Sequence, residues 1–303
     1  MEQPCAQPPA DTDTSSPAPA NDPPDLAPQR RWPPWSAPAA LLTGLVLAAV
    51  GGLIVDIPAA VLGVDVSHHL PAGLEIADTA VQDAAFIAAA VIFAGMGGRA
   101  VSAWQFGLRP APLRRCVVAV VLTIVAFFVF TAIWSALAEV SEKEKLLEQL
   151  GADRNAALLL ASALLTCVIA PIGEEFLFRG YFFPALSNWH GWVLAAVVTG
   201  LVFGAIHVGS APAVDLVPLA ALGSALCVLY RRTGSLYPCI AAHVLNNSLA
   251  FGALEGWGAQ TLLLMLAALA AAAGLALLLR AAGVITDPPA VLLGAPAAVP
   301  PTA

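Results

Sequence analysis

Charge is what this 303-residue chain lacks: Asp, Glu, Lys and Arg together make up 11% of it. A water-exposed surface needs roughly a quarter of charged residues, so an ordinary soluble domain is excluded. Basic residues are fewer than acidic ones, 13 against 20, for a formal net charge of -7. That leaves no positive footprint for nucleic acid. The five cysteines contain no CxxC pair and lie mostly in apolar runs, where a thiol acts as a small hydrophobe and no disulfide framework is expected. Alternating strand patterns are absent too, as is any HExxH motif. No basic stretch runs directly into an apolar one at the N-terminus, so a cleavable signal peptide is not expected.

Apolar residues are what is there, at 59% of the chain with a mean hydropathy of +0.82. Residues 1–31 are rich in Pro, Ala, Ser and Asp and read as a disordered tail, with 284–303 as a shorter, similar one. Between them, 32–283 read as an all-α, polytopic membrane domain, because backbone groups in lipid must be satisfied within helices. About eight segments approach the roughly 20 residues a span needs. They run 37–55, 81–96, 116–138, 156–186, 192–208, 214–230, 236–254 and 260–279. Trp32 and Trp35, ahead of the first, read as interfacial anchors.

An N-inside arrangement with eight spans puts ten basic residues on the cytoplasmic side: Arg30, Arg31, Arg99, Arg109, Arg114, Arg115, Arg179, Arg231, Arg232 and Arg280. It leaves Lys143, Lys145 and Arg154 outside. The positive-inside rule therefore places both termini in the cytoplasm. Residues 139–155 mix charges with Leu146, Leu147 and Leu150 at helical spacing, as an interfacial helix or a solvated one does.

Three polar clusters interrupt the apolar segments. Ionisable groups at membrane depth cost about 2.5–3.5 kcal/mol each on insertion scales, so they face a protein interior or a water-filled cavity. The first is PIGEEFLFRGYFFPAL, with Glu174, Glu175 and Arg179. Glu175 and Arg179 are i,i+4 and can pair, while Glu174 points about 100° away and stays free. Pro171 and Gly173 suggest a kink or restart just before the acids. The second cluster is LVFGAIHVG, where His207 sits one turn from Phe203. The third is CIAAHVLNNSLAF, where His243 and Asn247 share a face and Asn246 and Ser248 flank them. Cys239, one turn before His243, raises a Cys–His metal pair as a side possibility. His68, His69, Asp83 and Asp215 read as exposed or interfacial.

A carboxylate, two imidazoles and an amide on three helices can activate water and stabilise an oxyanion. Imidazole and carboxylate are also zinc-type ligands. Helix arithmetic leaves one conflict. Glu174 lies about 18 Å from a helix end at Leu186 and His207 about 22 Å from Trp192, but His243 only about 10 Å from Leu236. Tilt, or a protruding fourth helix, must make up the difference.

The order EExxxR, FxxxH, HxxxN resembles the CPBP family, which comprises type II CAAX prenyl endopeptidases and Abi-type, bacteriocin-processing intramembrane proteases. The similar region is about 155–255, and WQFGLRPAP (104–112) is similar to the segment ahead of that family's core. The resemblance implies hydrolysis of a peptide bond in a peptide or membrane-anchored protein, prenylated CAAX substrates being suggested by the family name alone. By that analogy Glu174 with His207 activates water, and His243 with Asn247 binds the oxyanion. Glu175 and Arg179 hold helix geometry and local charge. If a divalent metal such as zinc takes part, as the family's metalloprotease label suggests, Glu174, His207 and His243 are its ligands. The alternative is a non-catalytic scaffold or bacteriocin-immunity-type protein of the same fold. A transporter, the third reading, should show inverted repeats, and none is visible.

Overall fold

The computed structural model describes residues 32–66, 70–96, 101–138 and 155–286. Both proposed tails before 32 and beyond 286, the bulk of the 139–155 helix, and His68, His69 and Arg99 lie outside the described residues. The described chain is all-α, with α1 Ser36–Val61, α2 Ala72–Gly95 and α3 Leu113–Leu137 first. A long helical run follows, as α4 Ala156–Leu164, α5 Ala170–Leu177 and α6 Phe183–Ala205, joined by π-turns at Leu165–Ile169 and Phe178–Phe182. Then come α7 Leu216–Thr233, α8 Tyr237–Leu254 and α9 Ala259–Ala281.

Six helices are long and apolar enough to cross a membrane, counting Ala156–Ala205 as one. That run breaks where His190 leaves the helical region and Gly191 takes φ 82°, a conformation that favours glycine. The break makes two limbs, and seven apolar spans. The eighth expected segment, α8, falls short because His243, Asn246 and Asn247 lower its hydropathy. The protein is an integral membrane protein.

Side chains facing outward on α1, α3 and α9 are Leu, Val, Ile and Phe, as lipid contact requires. α3 and α9 each bury a single residue of their own, Phe127 and Ala268. Interior packing falls to α2 and the α4–α8 segments. The closest crossing is between α6 and α7. A Cβ on Gly200 would meet Ser224 Oγ at 2.0 Å and Ala220 O at 2.5 Å, and one on Gly204 would meet Leu216 O at 2.6 Å. Gly200 and Gly204 form a small-xxx-small stripe, which lets two backbones touch where no hydrophobic force drives helices together in lipid.

Two sequence expectations need correction. α2 begins at Ala72, nine residues before the expected Val81, because Glu75 and Asp78 mask its first turns as loop. Trp32 is 7% exposed and stacks between Phe106 and Tyr181 at 5.7 and 4.7 Å; Trp35 alone is exposed. The WQFGLRP segment explains the burial. Ser102 and Gln105 form a capping box around the short 3-10 turn Ala103–Phe106. Phe106 then stacks on Phe176 at 4.4 Å. Beyond it, Arg109 Nε donates to Gly234 O, Ser235 Oγ donates to Arg109 O at 2.6 Å, and Leu236 N donates to Gly107 O at 2.7 Å. This strap ties α5 to the α7–α8 turn.

Candidate active site

α5 carries both acids between its two π-turns. Pro171 cannot donate to the carbonyl one turn back, and the first π-turn, closed by Ala170 N to Leu165 O, shifts the hydrogen-bond register just ahead of it. Such π-turns recur at functional sites. They replace the kink or restart expected at Pro171 and Gly173.

Glu175 and Arg179 are fully buried and joined, Arg179 Nη1 to Glu175 Oε1, at 2.7 Å. Arg179 Nη2 donates to Gly223 O at 2.7 Å, and the guanidinium lies 4.8 Å over the Phe203 ring. One positive charge is thereby matched to one carboxylate, with aromatic faces around it.

The same Glu175 oxygen faces His243 Nδ1 at 2.9 Å. A carboxylate partner there places an N–H on Nδ1. His243 Nε2 is turned toward Glu174, whose Oε2 lies 3.9 Å away. Arg179, Glu175, His243 and Glu174 thus form one chain from a buried cation to a carboxylate oxygen with no hydrogen-bond partner inside the protein. Glu174 is 8% exposed and His243 3%.

His207 follows the last turn of α6, half-buried, with Nδ1 on Phe203 O at 2.7 Å and its ring 5.1 Å from that of Phe203. Phe203 also stands edge-on to His243 at 5.7 Å, so one ring separates the two imidazoles. Among the described residues His207 makes no ion pair with Glu174; His243 does. Asn247 Nδ2 donates to Thr166 O at 2.9 Å and its Oδ1 accepts from Asn246 Nδ2 at 3.1 Å. It therefore pins the first π-turn, with one amide hydrogen to spare.

Among the described residues, no three His, Cys, Asp or Glu side chains gather in a cluster able to hold a metal ion. The Glu174–His207–His243 set is not gathered around one point, although each imidazole keeps its Nε2 while Nδ1 is held by Phe203 O or Glu175, as in metal-bound histidines. The Cys239–His243 pair fails as well, because the Cys239 thiol faces Leu226 O and Ser235 O at 3.6 and 3.8 Å.

The strap resolves the depth conflict. Phe106 O packs against Gly180 while Gly107 O binds Leu236, so Gly180 and Leu236 share a level. Glu174 is then about 9 Å above that level and His243 about 10 Å. The limb from Gly180 to His190 protrudes by about 15 Å, and this brings His207 to about the same height.

Sequence reasoning missed Asp83. It is no interfacial residue: at 1% exposure it packs on Gly173, beside Glu174. The signal was a lone acid within AVQDAAFIAAA.

Residues 156–249 match the family described as type II CAAX prenyl endopeptidase Rce1-like. That segment is thus similar to the CPBP family, and it holds all three motifs, Glu174 to Arg179, Phe203 to His207 and His243 to Asn247. A curated Bacillus subtilis (strain 168) protein named "Putative membrane peptidase YdiL" is 29% identical over 85 residues, which are 28% of this chain and 34% of that protein. The chain thus matches about a third of that relative's length. No solved structure matches the chain. α2, α3 and the strap lie outside the matched segment, although α2 and the strap both touch α5.

Proposed function

We propose that this protein is an intramembrane endopeptidase that hydrolyses a peptide bond of a membrane-associated peptide or protein, with prenylated CAAX-type chains as one candidate class. Glu174 accepts a proton from the attacking water, with His207 as its partner. The water oxygen bonds to the carbonyl carbon, and the C–N bond breaks as the proton passes to the leaving amine. His243, held by Glu175 and Arg179, and Asn247, one turn away on the same face of α8, meet the oxyanion. The enzyme sits in the cell membrane with both termini cytoplasmic, as the distribution of Lys and Arg favours.

The supporting observation is the buried Arg179–Glu175–His243–Glu174 chain. Among the described residues Glu174 and Glu175 each keep one oxygen without a hydrogen-bond partner, but only Glu175 is neutralised by Arg179; Glu174 has no cation of its own and faces an oriented imidazole.

The test is cleavage in proteoliposomes of fluorogenic peptides carrying a farnesylated CAAX end, the same end without lipid, or a membrane-spanning segment. Glu174→Gln should lower kcat by about a hundredfold or more, the range of general-base loss, with an unchanged melting temperature. A folded wild type that cleaves none of them, or a fully active Glu174→Gln, overturns the proposal. Metal analysis of the same sample checks the donor geometry.

A further inference from the structure

Asp83 is the unexplained group in the interior. α2 packs along α5, and Asp83 shares its buried face with Phe86, Ala90 and Ala94 at i+3, i+7 and i+11. The carboxyl is 1% exposed, and neither oxygen has a hydrogen-bond partner in the protein. A Cβ on Gly173 would meet Asp83 Cβ at 2.9 Å and Oδ1 at 3.2 Å. Only glycine at 173 leaves room for the carboxyl against α5. Gly173 directly precedes Glu174 in α5.

Burying a carboxyl group without a hydrogen bond is costly even when it keeps its proton, and among the described residues nothing repays that cost. A substrate would. A peptide must be extended to be cut, and in a dry interior each N–H freed from its helix needs a new acceptor. A carboxyl oxygen can serve as one.

We propose that Asp83 is a substrate-binding residue whose carboxyl oxygen accepts a backbone N–H of the extended peptide next to the scissile bond. The inference rests on the protease reading. It puts α2, outside the matched segment, into the active site.

The experiment uses the full chain in proteoliposomes and whichever fluorogenic peptide the wild type cleaves, together with a set of its variants methylated at one backbone nitrogen each. Asp83→Ala should lower kcat/KM by about ten- to a hundredfold, the range for a buried N–H left without its acceptor, while the melting temperature holds or rises. Asp83→Asn, which retains an acceptor, should recover part of the loss. One N-methylated peptide should be cut poorly by the wild type yet no worse by Asp83→Ala than its unmethylated parent. Wild-type cleavage in Asp83→Ala, a drop in its melting temperature, or strictly additive losses for every methylated peptide overturns the inference alone. A wild type that cleaves nothing overturns the protease reading and this inference with it.

Discussion

At the scale of single residues, the difference between Glu174 and Glu175 comes from one dihedral step along a helix. Rotation by about 100° sends Glu175 to Arg179 and His243, and Glu174 to the opposite side of the same imidazole. Neighbours in sequence thus acquire opposite tasks. The Glu175–Arg179 pair is fully buried, so loss of one member strands a charge. Arg179→Leu should cost about 3–5 kcal/mol, the usual consequence of stranding a buried ion. It should appear as a large drop in melting temperature in detergent. Glu175→Leu combined with Arg179→Leu should restore much of that stability while leaving the enzyme inactive, because His243 loses its anchor. A double variant as unstable as Arg179→Leu alone would contradict this account. The i,i+4 pairing was legible from spacing. The lie of His243 between two carboxylates was not, because its partner is 68 residues away.

At the scale of elements, the α6–α7 crossing holds Phe203 between the two imidazoles. Gly200, Gly204 and Gly223 bring the backbones together, and a Cβ on Gly223 would meet Phe203 Cβ at 2.9 Å. Gly204→Ala should therefore cost about 1–3 kcal/mol by overpacking, measured as a lower melting temperature, and should reduce cleavage by moving Phe203. Gly274→Ala is the control. Nothing lies within 4 Å of its added Cβ, so removing a mid-helix glycine should stabilise by about 0.5–1 kcal/mol. Equal effects at the two sites would show that the crossing is not backbone-tight. Helix existence was legible along most of the chain, because apolar length decides it. Boundaries were less so. Beginning α2 at Val81 set Asp83 near a helix end, whereas a start at Ala72 puts it about 16 Å in, at mid-span.

At the scale of the whole molecule, burial of Arg109 and Arg179 removes two of the ten basic residues expected in the cytoplasm, and the orientation expected from the others can be tested. Arg232 is exposed at the end of α7 and Gly258 at the opposite turn, between α8 and α9. In a background with the native cysteines replaced, Arg232→Cys should react with an impermeant maleimide only from the cytoplasmic face, and Gly258→Cys only from the outer one. Reversed labelling would invert the topology. The strap formed by 101–112 belongs to this scale too. It fixes the height of α5 against α8 by bonding the α7–α8 turn, and so sets all three motifs at one depth.

Composition and spacing by themselves determined that the chain is a helical membrane protein with three polar motifs on separate segments. They also determined that Glu175 pairs with Arg179. Both follow from local physics, the burial of apolar length in lipid and the pitch of one helix. Tertiary structure alone decided which imidazole faces Glu174, that Asn247 holds a π-turn, that His207 is separated from His243 by Phe203, and that Asp83 belongs to the interior. Those outcomes depend on how helices from distant parts of the chain are shifted and rotated against one another, and glycine contacts, π-turns and the strap fix those shifts through steric fit that no periodicity encodes.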